Sequence, residues 1–199
     1  MFSGIIKWVG KIESIEEKGT TKRFTISSSI SNALQIDQSI AHDGVCLTIV
    51  HSEDSMHQVE VVNETLAKST LSNAKFGQII NLEKSISAAT LLDGHLVQGH
   101  VDTTLTCINI RDLKGSWKFS FDLPVAYAGL IIPQGSICIN GVSLTVSDVT
   151  SDSFSLAIIP YTFENTNFKF LKEGEIVNAE FDLIGKYIVR QFELRFISE

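Results

Sequence analysis

Two histidines and two pairs of short polar side chains hold most of the chemistry this chain could perform. Residues 94–102 read GHLVQGHVD, which places His95 and His100 close together in sequence. Their odd separation puts them on opposite faces of a strand and well apart around a helix. No third ligand clusters nearby, so a shared metal ion is not expected. Histidine titrates near neutrality, and the flanking Gly94 and Gly99 allow backbone to approach a bound molecule closely. General acid–base work or substrate polarisation is one reading of the segment. Ordinary hydrogen bonding in a glycine-bent connection is the other.

The short polar residues fall in two related segments, SIAHDGVCLT from Ser39 to Thr48 and SICINGVSLT from Ser136 to Thr145. Asp43-Gly44 and Asn140-Gly141 are preferred dipeptides for two-residue type I′ turns, whose central residues both need positive φ. Such a turn fixes the pairs across the hairpin. His42 faces Val45, Ala41 faces Cys46, Ile40 faces Leu47 and Ser39 faces Thr48. One face then carries Ile40, His42, Val45 and Leu47, and the other carries Ser39, Ala41, Cys46 and Thr48. In the second segment Ile137, Ile139, Val142 and Leu144 oppose Ser136, Cys138, Ser143 and Thr145. The apolar faces belong to a core. The small faces are either the wet side of a sheet or the floor of a ligand cleft. Their lack of lysine and glutamate leaves room for a flat polar molecule and offers it hydrogen bonds.

These elements belong to a duplication. One offset aligns Val45 with Val142, Thr65 with Thr162, Gly77 with Gly174, Asn81 with Asn178 and Glu83 with Glu180. Two units, residues 1–96 and 97–199, are each large enough for a core. The texture is β, with short stretches rich in Val, Ile, Thr and Phe broken by turn residues. Strands are expected at Gly4–Ile15, Arg23–Ser27, Ser39–Ala41, Val45–His51, Gln58–Val62 and Gln78–Glu83, with counterparts in the second half. A short helix is expected over Glu64–Asn73. Its counterpart, Thr162–Phe168, gives no clear signal. In the tail, Val189, Phe192 and Phe196 follow helical spacing while Phe192, Leu194 and Phe196 alternate like a strand. The favoured reading is a helix over about 186–199 that packs on a partner.

The net charge of −7 argues against a nucleic-acid partner. No apolar run approaches the roughly 18 residues of a membrane span, and no signal peptide is expected at the start. Three widely spaced cysteines, Cys46, Cys107 and Cys138, suggest neither a disulfide framework nor a metal knuckle. A reduced cytoplasm is the expected location.

GHLVQGHVD, the opening MFSGI and the paired DGVCLT and NGVSLT together resemble the riboflavin synthase family, in register along nearly the whole chain. The resemblance implies an all-β fold of two similar six-stranded Greek-key barrels plus a C-terminal helix. It implies a homotrimer with each active site between the N-terminal barrel of one subunit and the C-terminal barrel of its neighbour. It further implies a transferase without metal or cofactor, and it allows lumazine synthase as a further partner. The reaction implied is the last step of riboflavin biosynthesis. Two molecules of 6,7-dimethyl-8-ribityllumazine give riboflavin and 5-amino-6-ribitylamino-2,4(1H,3H)-pyrimidinedione by transfer of a four-carbon unit.

By the same resemblance, one ligand site comprises Gly4, Ile5, Ile6, Cys46, Leu47, Thr48, Glu60, Val61, Val62, Asn63, Glu64 and Thr65. The other comprises Gly99, His100, Val101, Ser143, Leu144, Thr145, Ile159, Pro160, Tyr161, Thr162, Phe163 and Glu164. Gln134 stands where the family carries a lysine that could touch the ligand. His100 is the candidate proton carrier, and only its cleft gains an imidazole. Ser143 and Thr145, or Cys46 and Thr48, would hold the pyrimidine edges. Water, a protein hydroxyl, Cys46 and the ribityl chain all fit as the nucleophile. Related antenna proteins bind lumazine without catalysis, but the retention of both histidines, Ser143 and Thr145 favours an enzyme. A flavin oxidoreductase fragment fits less well, because no GxGxxG segment follows.

Overall fold

A computed structural model describes residues 1–197, with side chains through Arg195. The end of the expected tail helix, Ser198 and Glu199, lies outside the described residues, as does the side chain of Phe196.

Each half closes into a six-stranded antiparallel barrel. The first is built from β1 (Trp8–Lys18), β2 (Thr21–Ser27), β3 (Ser39–His42), β4 (Val45–Glu53), β5 (Met56–Val62) and β6 (Ile79–Lys84). Their order around the wall is β1-β2-β5-β4-β3-β6. The second repeats that order with β7 (Thr103–Asp112), β8 (Trp117–Asp122), β9 (Ser136–Ile139), β10 (Val142–Val149), β11 (Ser153–Ile158) and β12 (Ile176–Phe181). Closure removes the exposed edges that an open sheet would present. The first strand of each barrel carries a bulge, at Ile12/Ser14 and at Cys107/Asn109, which lets one long strand bend round the wall.

Both hairpins have the expected register, with His42 opposite Val45 and Ile139 opposite Val142. Asp43, Gly44, Asn140 and Gly141 all have positive φ. The two turns meet back to back. A Cβ added to Gly44 would lie 2.8 Å from the Gly141 nitrogen, so backbone touches backbone where the barrels join. A polar network seals the junction. Asp43 Oδ1 accepts from the Asn81 backbone N–H at 2.7 Å and from Asn167 Nδ2 at 2.9 Å. Asn178 Nδ2 donates to the Asp43 carbonyl, and Asn81 Nδ2 to the Asn140 carbonyl.

Several boundaries differ from expectation. The first strand begins at Trp8 rather than Gly4, because residues 2–6 leave the barrel to cover its neighbour. The helix expected over Glu64–Asn73 stops early: α1 is Asn63–Lys68, followed by a 3-10 turn at Thr70–Asn73. Its unread counterpart is α2 (Pro160–Asn165), with proline in the first turn, where a missing N–H costs nothing. The tail does form a helix, α3 (Leu183–Ile197), beginning slightly earlier than expected.

Candidate active site

The segments ahead of the two barrels decide where the expected site residues meet. Phe2 and Val97 pair as a β-bridge, with N–H to carbonyl distances of 2.7 and 3.1 Å. From there the two straps diverge, and each crosses the hairpin of the barrel it does not belong to. Gly4 accepts a hydrogen bond through its carbonyl from Ser143 N at 2.7 Å, and Gly99 does the same from Cys46 N at 2.8 Å. Both glycines have positive φ, and a Cβ on either would lie 2.6 Å from the Cβ of the residue beneath. Only glycine allows this approach. Beyond the crossing, Ile6 joins the core of the second barrel and Val101 packs against that of the first.

This corrects the expected grouping. Gly4–Ile6 belong with Ser143–Thr145, and Gly99–Val101 belong with Cys46–Thr48. The expectation paired each strap with its own barrel, as chain order suggests. The buried small residues are explained too. Phe2, Ala41, Val97 and Cys138 form a small apolar cluster under the straps, with Cys46 at its rim. Ala41 and Cys138 are therefore neither wet nor cleft floor. The open part of each floor is Cys46 and Thr48 in one barrel and Ser143 and Thr145 in the other.

The first cleft is a cavity of about 330 Å³ lined by Val45, Cys46, Glu64, Thr65, Lys68, Gly99, His100 and Val101. Lys68 Nζ lies 3.2 Å from Glu64 Oε1 on one face of α1. Of the expected first-half residues, Val61 and Leu47 face the core. Glu60 points outward to an ion pair with Arg23, and Val62 and Asn63 are exposed beside the helix start.

Over the second floor the Ser143 hydroxyl is 2.7 Å from His95 Nδ1. Gly94 lies against the same side chain, with room for no Cβ. Burial pushes the His95 pKa down, partly opposed by the charge of Asp182. The balance favours the neutral imidazole over the charged one. Sequence reasoning favoured His100 over His95 and gave an imidazole to only one cleft. The structure gives one to each: His100, exposed, beside Cys46, and His95, half-buried, on Ser143. The signal was the paired histidine motif, but spacing alone could not say which one meets a hydroxyl. Leu144 is core, Ile159, Pro160, Tyr161 and Glu164 are exposed, and Thr162 is half-buried. Phe163 stacks on Trp117 at 3.8 Å between ring centres. Gln134 sits in an exposed turn with positive φ. Among the described residues no group of three or more histidine, cysteine, aspartate or glutamate side chains could hold a metal ion.

Comparison with known proteins fits this duplicated arrangement. The lumazine binding domain family matches residues 3–85 and again 98–182. The riboflavin synthase of Actinobacillus pleuropneumoniae is 37% identical over 98% of this chain and 91% of its own length. The chain belongs to the riboflavin synthase family. Riboflavin synthase of Bacillus subtilis (strain 168) is 34% identical over 96% of the chain and 89% of its own length. Among solved structures, LumP complexed with riboflavin has a TM-score of 0.85 at 23% identity, covering 91% of this chain and 99% of LumP. LumP complexed with 6,7-dimethyl-8-(1'-D-ribityl) lumazine has a TM-score of 0.83 at 22% identity, with the same coverage. The LumP likeness is one of fold.

Proposed function

We propose that the protein is a riboflavin synthase whose substrate sites are the two roofed clefts. It converts two molecules of 6,7-dimethyl-8-ribityllumazine into riboflavin and 5-amino-6-ribitylamino-2,4(1H,3H)-pyrimidinedione. One observation carries the assignment of sites. A reaction between two copies of one molecule needs two like sites, and the chain builds two equivalent floors under two equivalent straps.

The chemistry requires a proton to leave the C7 methyl of one lumazine and a nucleophile to add to C7 of the other. Two carbon–carbon bonds then form. Stacking the two rings in the reactive orientation supplies an entropic advantage that spares the protein a strong base. His95, neutral and joined to Ser143, is placed to carry the proton. His100 serves the other cleft, where Cys46 and Thr65 offer polar contacts. The unequal partners suit unequal tasks for donor and acceptor.

The clefts of one chain lie on different barrels, so we place the reacting pair between subunits of a homotrimer. Ile184, Tyr187, Ile188 and Phe192 leave most or half of their surface exposed on α3, an apolar face that a partner would cover. Deleting residues 183–199 should lower the mass seen by light scattering from trimer towards monomer. An unchanged trimer would refute this role for the tail. Among the described residues no helix is long and apolar enough to cross a membrane, and we place the enzyme in the cytoplasm.

Mixing the pure protein with 6,7-dimethyl-8-ribityllumazine tests the activity. Riboflavin absorbance should grow to one equivalent per two lumazines consumed, with or without a strong chelator. Stable lumazine binding without turnover would make the protein a carrier. Loss of turnover on chelation, restored by zinc, would break the metal-free reading.

A further inference from the structure

Two buried glutamates lie outside the clefts, yet each holds one of the roofs. Glu83 on β6 is 5% exposed and Glu180 on β12 is 3% exposed. They are repeat equivalents, and neither side chain lines the cavity between strap and hairpin. Their carboxylates are taken up by backbone. Glu83 Oε1 accepts from the Ser3 N–H at 2.8 Å and the Ser3 hydroxyl at 2.7 Å, and its Oε2 accepts from the Gly4 N–H at 2.9 Å. Glu180 Oε1 accepts from the Gln98 N–H at 2.6 Å. Its Oε2 accepts from Gly99 at 2.9 Å and His100 at 2.8 Å. Three donors converge on each acid. Burial pushes both carboxyl pKa values up, and these hydrogen bonds pull them back by favouring the ionised form, whose two oxygens accept from all three donors.

The consequence is crossed. Glu83 belongs to the first barrel but fixes the strap whose Gly4 lies on Ser143 of the second. Glu180 belongs to the second barrel but fixes the strap whose Gly99 lies on Cys46 of the first. We propose that Glu83 and Glu180 are positioning residues of the reaction, each clamping the strap that roofs the other barrel's substrate cleft. The proposal rests on the assignment of these clefts to substrate. In the first cleft the clamp also sets His100, whose own N–H is one of the three donors.

Replacing either acid by glutamine turns an NH₂ group towards backbone N–H donors, leaving one or two of them buried and unpaired. The strap should then lift. Cys46 reports on this, because it is half-buried beneath Gly99 while Cys107 and Cys138 are buried. The test is the rate at which iodoacetamide alkylates Cys46 in the full-length protein, followed by peptide mass spectrometry, with and without riboflavin. Glu180→Gln should speed alkylation about tenfold or more, whereas Glu83→Gln, which frees the strap over Ser143, should leave it within about twofold. A general loosening of the molecule would not follow that crossed pattern. Equal acceleration by both variants, or none by Glu180→Gln, overturns the clamp. If Glu180→Gln does not fold, Glu180→Asp carries the same test, since the shortened side chain keeps the charge but withdraws the oxygens from the amides. In the wild type, riboflavin should slow Cys46 alkylation. Its failure to do so would overturn the cleft assignment, a result distinct from equal rates in the two variants.

Discussion

The two barrels have the same wall and different centres. In the first, the Ser31 hydroxyl, His57 and His42 form a buried chain, with distances of 2.8 Å from Ser31 Oγ to His57 Nδ1 and 2.9 Å between the two Nε2 atoms. His42 Nδ1 is 3.3 Å from the Ile40 carbonyl. A carbonyl only accepts, so His42 carries its proton on Nδ1. It then accepts from His57 Nε2, and His57 in turn accepts from Ser31. In the second barrel Ile139 stands for His42 and Phe154 for His57, and Phe154 stacks with Phe121 at 5.7 Å. The barrel therefore demands filled volume and satisfied donors at its centre, and either chemistry meets the demand. The clefts differ in the opposite sense. Their floors are alike, but one imidazole sits on a hydroxyl and the other stands beside a thiol. On the proposed assignment of the clefts, the difference that bears on turnover is the group each imidazole meets.

The largest expected effect separates the two histidines. His95→Ala should lower kcat by roughly 10²–10⁴-fold, the usual range for a general acid–base group, with a much smaller change in riboflavin Kd. His100→Ala should cost distinctly less, because among the described residues no side chain hydrogen-bonds to its ring. Steady-state kinetics and riboflavin titration of both variants decide the order. Equal losses would return His100 to the proton-carrying role that the sequence first suggested.

Next in size are the strap glycines. Gly99→Ala forces a side chain into positive φ and against Cys46, and Gly4→Ala does the same against Ser143. Each should destabilise the fold by about 1–3 kcal/mol, read as a lower urea midpoint. The pair sharpens the comparison, since equivalent geometry predicts similar losses. A cost confined to one variant would show that only one roof is tight.

Much of this is legible in the amino-acid sequence. The hairpin registers followed from Asp43-Gly44 and Asn140-Gly141, because a type I′ turn leaves no freedom in pairing. The repeat gave two equal barrels. What local reasoning could not reach was which strap covers which floor. Gly4 meets Ser143 and Gly99 meets Cys46 only through long-range packing, and Ile6 looks like part of its own strand while filling the other barrel's core. For the same reason spacing alone does not say which of His95 and His100 meets a hydroxyl. Helix α2 was missed because its residues are weak helix formers, and Pro160 at its start outweighs them.

Acidity should expose the central difference. Burial is the main cause that holds both histidines below their ordinary pKa, His57 at about 4 and His42 well below its usual value with help from its neighbour's charge. The unfolded chain therefore binds protons that the folded chain refuses. Stability is fully present above about pH 6.5 and is lost as pH falls through that value towards 4. The double substitution His42→Ile with His57→Phe copies the second barrel. It should flatten the fall in urea midpoint between pH 6.5 and 4. An unchanged slope would place the acid sensitivity elsewhere.

The smallest effect concerns the turn itself, where the first barrel has Asp43 and the second Asn140. Asp43 is 2% exposed, and its burial raises the carboxyl pKa to about 7, against the pull of hydrogen bonds from Asn81 and Asn167. The sign is opposite to that of the histidines. Here the folded chain holds a proton that the unfolded chain releases, so stability is lost as pH rises from about 4 through 7. Asparagine removes the charge and keeps the acceptor. Asn140 Oδ1 already takes the Asn178 N–H at 2.8 Å, just as Asp43 Oδ1 takes that of Asn81. Asn-Gly also suits the turn at least as well as Asp-Gly. Asp43→Asn should therefore raise stability by about 1 kcal/mol at pH 8, where the acid is buried as a carboxylate, and change it little at pH 5. Urea titrations at the two values check this. A gain of equal size at both would mean that turn geometry, and not buried charge, separates the two hairpins.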